Sequence, residues 1–278
     1  MEVVNRMKLL IATLLIACAF VTTARAEDRS AEIAADLGRR ATVTAVEGFL
    51  IAAPAPGDTV GASAVAKRAI LAFFNNRFKT RPTEPVLVYL FASNAPYQAY
   101  CKKRWNEPCI SIYGFYLGAE RRIVLNVGPG LGTLTHELVH PIVRSDFPKA
   151  PTWLDEGLAS LYEGFYLGKG NDIYGTKNWR LPLLKHALNS PTRRADVGLT
   201  QLFSLSDEQF RNFEEDLHYT MARHFCLWMQ TRGYLWDFYQ HWRDNAAEDP
   251  TGENAFKEVT GKTLVELNDE WLHYVRVL

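Results

Sequence analysis

The sequence predicts an α+β fold: a small mixed sheet with helices in the first half, then a mostly helical second half. Three observations carry this. The run at 86–91 (VLVYLF) is unbroken strand-forming sequence, and 122–127 (RIVLNV) is a second such run. Between the N-terminus and the first of these, Ala66, Ile70, Phe73, Phe74 and Phe78 recur at three- and four-residue spacing, one apolar side of a helix over 62–78. From 152 onward the apolar spacing is helical, without a comparable strand.

Taken in order, 29–40 is helical in pattern, and 42–53 alternates weakly enough to be expected as one strand. After the helix at 62–78 and the strand at 86–91 come a short helix at 95–104 and strands at 112–117 and 122–127. Gly128-Pro129-Gly130 is a turn, and a helix starts near Thr133, with Thr133 or Gly132 as cap. Pro151 and Thr152 open a further helix, and Asp155 three residues on completes a capping box. The glycine-rich stretch 164–179 is expected as a plain surface loop rather than the rim of a cleft. Helices then follow at 181–188, 199–204, 207–213, 216–232, 234–244 and 263–276. The aromatic crowd at Phe225, Trp228, Tyr234, Trp236, Phe238, Tyr239 and Trp242 is a core in this pattern rather than a sugar-binding platform.

Residues 1–26 have the layout of a secretory signal peptide: Arg6 and Lys8, an apolar run from Leu9 to Val21, then Ala24-Arg25-Ala26 as a cleavage site. The run is too short for a stable membrane span. Leu15-Ile16-Ala17-Cys18 offers an alternative, a lipobox with Cys18 as lipid anchor, although Ala19, Phe20 and Val21 lack the polarity of a lipoprotein tether. The expected mature chain, 27–278, is one domain of about 250 residues, long enough for a substantial core. The full chain is balanced, with 31 basic and 31 acidic residues, and cleavage after Ala26 would leave a net charge near −2. Without a basic block, nucleic acid is not an expected partner. Cys101 and Cys109 enclose a hydrophilic loop that a disulfide would close in an oxidising compartment, at roughly 2–3 kcal/mol of stabilisation. Cys226 sits in an apolar helical run and is expected as a buried thiol.

The chemistry concentrates at His136-Glu137-Leu138-Val139-His140. Histidines four apart project from one helix face and can reach one cation, with the intervening glutamate beside the open coordination position. Glu156, in Trp153-Leu154-Asp155-Glu156-Gly157-Leu158-Ala159, would complete three ligands from a second helix and leave a place for water. Pro141 removes the hydrogen bond to the Glu137 carbonyl and is expected to kink the first helix.

The pairing H-E-x-x-H … W-L-x-E-G-x-A resembles the gluzincin zinc metallopeptidases, and most closely the small bacterial peptidase-MA-like group. That resemblance implies a zincin-like fold, one Zn2+ held by His136, His140 and Glu156, and Glu137 as general base. It also implies a peptide or protein substrate, cell-wall peptide included. The fifteen residues between His140 and Glu156 are a shorter gap than in larger members. By the same resemblance, a tyrosine early in a later helix steadies the oxyanion, and Tyr219 matches it best, ahead of His218 and His224. The strand before the metal helix, 122–127, is expected at the sheet edge, where an extended peptide can add to it. Asp155 is read as a cap rather than as a brace for a ligand, and Ala159 and Ser160 as small residues that let the two metal helices approach. A non-catalytic protein that keeps the fold for binding peptide or cell wall is the alternative to a secreted or periplasmic peptidase. Glu137 argues for the enzyme, since holding zinc does not require it.

Overall fold

The computed structural model describes residues 29–55, 57, 59–75, 77–212 and 214–278. The expected leader at 1–26, its cleavage site and the alternative anchor at Cys18 lie outside them. Among the described residues no helix is long and apolar enough to cross a membrane.

The first half is a five-stranded mixed sheet in the order β1 (Thr42–Val46), β2 (Phe49–Ala53), β3 (Val86–Phe91), β5 (Arg122–Asn126), β4 (Gly114–Leu117). β2, β3 and β5 are parallel, while β1 and β4 run antiparallel along the two edges. The expected single strand at 42–53 is therefore a hairpin. Its tip, Glu47 and Gly48, has two consecutive positive φ angles, 46° and 85°, the geometry that matches the twist of paired strands. A glutamate in that conformation gives no turn signal, which is why the pattern reads through.

Strand alternation sorts β3 between two cores. Val86, Val88 and Leu90 face α2 (Val60–Phe73) and α4 (Gly132–Asp146) in the main core, together with the helices of the second half. Leu87, Tyr89 and Phe91 face a smaller core built from α1 (29–37) and α3 (Asn94–Trp105). Coverage of both faces explains why β3 is apolar at every position. Arg122 is fully buried on this second side. It pairs with Glu32 and Asp36 of α1 and donates to the Tyr100 hydroxyl, tying α1 to the sheet. Cys101 and Cys109 are joined, with Cα atoms 5.3 Å apart, and staple the end of α3 to the loop that enters β4.

β5 is not the edge expected of it: it pairs with β3 on one side and β4 on the other. Pairing order is set by contacts remote in sequence, which apolar patterning does not encode. The outer strand beside α4 is β4, where Arg144 of α4 stacks on Tyr116 and reaches Gly118.

α4 runs through Pro141 to Asp146, and five residues join it to α5 (Thr152–Leu161). The expected capping box at Thr152 is absent. Pro151 occupies the cap position, the Thr152 N–H donates to Asp207, and Asp155 turns elsewhere. A hairpin of β6 (Phe165–Leu167) and β7 (Ile173–Gly175) replaces the plain loop expected at 164–179. Beyond it lie α6 (Leu181–Asn189), α7 (Leu199–Ser204), α8 (Asp207–Phe210), α9 (Glu215–Thr231) and α10 (Leu235–Asn245). The chain closes with α11 (Glu253–Thr260), which the sequence reading passed over, and α12 (Leu264–Val277).

α5 packs on α9 across Gly157: a Cβ there would meet the Ala222 carbonyl oxygen at 2.9 Å and Cys226 Sγ at 3.1 Å. Ala159 and Ser160 are fully buried, as their small size suggested. Trp153 anchors α5 against Phe203, Phe225 and Trp242, so most of the aromatic crowd is core, as expected. Cys226 is a free, buried thiol whose pKa burial raises.

Candidate metal centre

His136 and His140 stand one helical turn apart on the α4 face turned toward α5, with ring centroids 5.0 Å apart. Glu156, on the first half of α5, meets them from across the helix pair. Its Oε2 lies 3.3 Å from His136 Nε2 and 3.9 Å from His140 Nε2. One ligand atom from each residue falls within 4.8 Å of the others. The α4–α5 pair is clamped by the Thr135 hydroxyl, which donates to the Tyr162 carbonyl at 2.6 Å.

Of the other imidazole nitrogens, His140 Nδ1 is braced by Asp155 Oδ1 at 3.0 Å, while His136 Nδ1 faces Glu163 Oε1 at 3.4 Å without a hydrogen bond. A carboxylate only accepts, so at His140 Nδ1 carries the proton and Nε2 is turned toward Glu156. Asp155 is thus a brace for a candidate ligand and not the cap it was read as. An aspartate in the first helical turn satisfies both rules on paper. The sequence pattern does not point to Glu163, which lies past the end of α5 and is itself held by Asn178 Nδ2 at 3.0 Å and Arg180 at 3.4 Å.

Two imidazole Nε2 atoms therefore converge on Glu156 Oε2, a buried oxygen that receives no hydrogen bond. A buried carboxylate is costly unless positive charge, a proton on an imidazole or a metal ion, stands against it. The donor set, two imidazoles and a carboxylate, suits a divalent transition metal with one position left open. The residues present fit such an ion.

The local electrostatics agree. Burial disfavours a charged His136, but the Glu156 and Glu163 carboxylates outweigh it and push its pKa up to about 10. Burial likewise opposes charge on His140, while Asp155 raises it. Burial alone would raise Glu156, yet His136, His140 and Arg211 hold it well below the usual carboxylate range. The cluster demands positive charge.

Glu137 is buried on α4 beside His136. Tyr219, on the first turns of α9, is brought to the Glu156 side of the group: Arg211 donates to its hydroxyl at 2.5 Å and also pairs with Glu156. Burial and the Glu156 charge both raise the Tyr219 pKa. His218 and His224 are occupied by backbone carbonyls instead, of Phe210 at 3.0 Å and Thr220 at 2.7 Å. Arg211 had no signal in the sequence, lying 55 residues from Glu156 in a short helix end.

A cleft of about 470 Å3 lies between the N-terminal end of α4 at Gly132 and Thr133 and the base of the β6–β7 hairpin at Gly164 and Trp179; it adjoins the group through Glu163, and His136, His140 and Glu156 do not line it. Tyr113, just before β4, forms its third wall, and Glu163 and Arg180 also line it. The 164–179 segment is thereby a rim after all. The chain has no significant match among models of known protein families or among curated proteins.

Proposed function

We propose that this protein is a zinc-dependent peptidase of gluzincin type, secreted or periplasmic, acting on protein or cell-wall peptides. The observation that carries the reading is the convergence of His136 Nε2, His140 Nε2 and Glu156 Oε2, with His140 Nδ1 braced by Asp155. The Cys101–Cys109 bond supports an oxidising compartment. When bound, zinc would supply Lewis acidity and a water of lowered pKa.

The chain's own groups do the remaining work. Glu137 takes the proton of the attacking water and passes it to the leaving nitrogen. Tyr219 donates its O–H to the substrate carbonyl oxygen as that oxygen gains charge. An extended peptide adds to the outer side of β4, which has no further strand beside it among the described residues and runs along α4. Its side chains then reach the cleft walled by Tyr113 and Trp179.

The test is metal analysis of the purified protein together with peptide-library cleavage by wild type and Glu137→Gln. We expect one zinc per chain in both and a loss of roughly 10²–10⁴ in turnover for the variant. Equal, metal-independent behaviour of the two would mark a peptide-binding module instead.

A further inference from the structure

Glu156 has two oxygens in different surroundings. Oε2 points at the imidazoles, while Oε1 is taken by Nη2 of Arg211. The same guanidinium donates through Nη1 to the Tyr219 hydroxyl at 2.5 Å, and Glu215 Oε1 lies 3.5 Å from that nitrogen. Arg211 itself is held in place. It follows α8, whose start is fixed by a capping box between Ser206 and Gln209, and α8 is tethered to the start of α5 by the Thr152 N–H donating to Asp207 at 2.8 Å.

We infer that Arg211 is a positioning residue that presents Glu156 to the cation through Oε2 alone and sets the direction of the Tyr219 hydroxyl. This rests on the peptidase reading and adds to it a residue outside the ligand set. Two physical points carry it. First, Glu156 is 4 % exposed, so a carboxylate there needs a charge partner on each oxygen, and Arg211 satisfies the outer one from a half-exposed position. A carboxylate fixed at one oxygen loses the freedom to swing or to ligate through both. Second, the Tyr219 oxygen accepts from Arg211, so its single proton is directed away from the guanidinium and is left for Glu156 or for a ligand in the open site. A planar fork that bridges two acceptors does this, and an ammonium on a flexible stem does not.

The test uses the full protein with zinc, titrated against a competing chelator, plus steady-state kinetics on a cleaved peptide. Arg211→Ala should weaken zinc binding by about 10- to 100-fold, as for other groups that orient a ligand. Arg211→Lys, keeping the charge near Glu156, should recover zinc affinity to within about threefold while kcat stays about tenfold or more below wild type at unchanged KM. Tyr219→Phe should leave zinc affinity unchanged. If wild type binds zinc and Arg211→Ala binds it as tightly, Arg211 is an ordinary surface ion pair and the inference falls alone. If wild type takes up no zinc, the peptidase reading itself falls. Thermal melts of each variant separate loss of fold from loss of affinity.

Discussion

Two clusters of charge lie inside this molecule, and they are built to opposite rules. Around Arg122 one buried guanidinium is ringed by acceptors: Glu32, Asp36, the Tyr100 hydroxyl, and Glu120 at 3.2 Å. Each carboxylate faces a cation, so the cluster is closed in charge, although Arg122 Nε makes no hydrogen bond. Around Glu156 the inward-facing groups are two imidazoles and a carboxylate oxygen that receives no hydrogen bond, and Arg211 stands on the outer side. The first arrangement joins α1 to the sheet; the second, the open cluster, gathers residues that could hold a metal ion.

Breaking the closed cluster should cost most in stability. Arg122→Met strands Asp36 without its cation, leaves Glu32 only Arg29, and should destabilise by about 3–5 kcal/mol in denaturant unfolding. Zinc affinity of the folded protein should be untouched; a parallel loss of zinc would show that the two clusters are coupled.

A third buried group, His224, contributes an acid sensitivity of its own. Burial holds His224 neutral, with a pKa lowered to about 4. The unfolded chain takes up a proton near pH 6.5 that the folded one refuses until about pH 4. Stability is therefore full above about 6.5 and falls across that window, by on the order of 3 kcal/mol. Denaturation midpoints measured from pH 7 to 4 with His224→Gln should lack this slope. An unchanged slope would assign the acid sensitivity to another group.

At the open cluster, Tyr219→Phe should lower turnover about a hundredfold, near 3 kcal/mol in the transition state, with zinc retained. An undiminished rate would remove Tyr219 from the chemistry. The smallest effect is expected from Asp155→Asn, which keeps shape but weakens the brace on His140. Chelator competition should show zinc held about tenfold less tightly, and equal affinity would restore Asp155 to a purely local role.

The open cluster was largely legible in the sequence, because its ligands sit at helical spacing. His136 and His140 are one turn apart, and Glu156 follows a tryptophan whose burial pins α5. What patterning missed was long-range or ambiguous. Strand order put β4 outside β5 through pairings that leave no trace in either strand's apolar alternation. Asp155 obeyed a capping rule that Pro151 had already pre-empted, whereas true capping boxes formed at Ser206–Gln209 and Thr263–Glu266. Arg211 and Glu163 act on the site by folding back to it, and neither belongs to a motif. The closed cluster was not foreseen at all: Arg122 looked like the polar start of a strand.

Gly157 has one more consequence. The helix bearing Glu156 and the helix bearing Tyr219 rest against each other with only a hydrogen atom between Gly157 and the Ala222 carbonyl. That single missing methyl works as a gauge block, fixing how far the hydroxyl stands from the carboxylate. Thickening it would leave His136 and His140 where they are and push the Tyr219 helix away from the Glu156 helix.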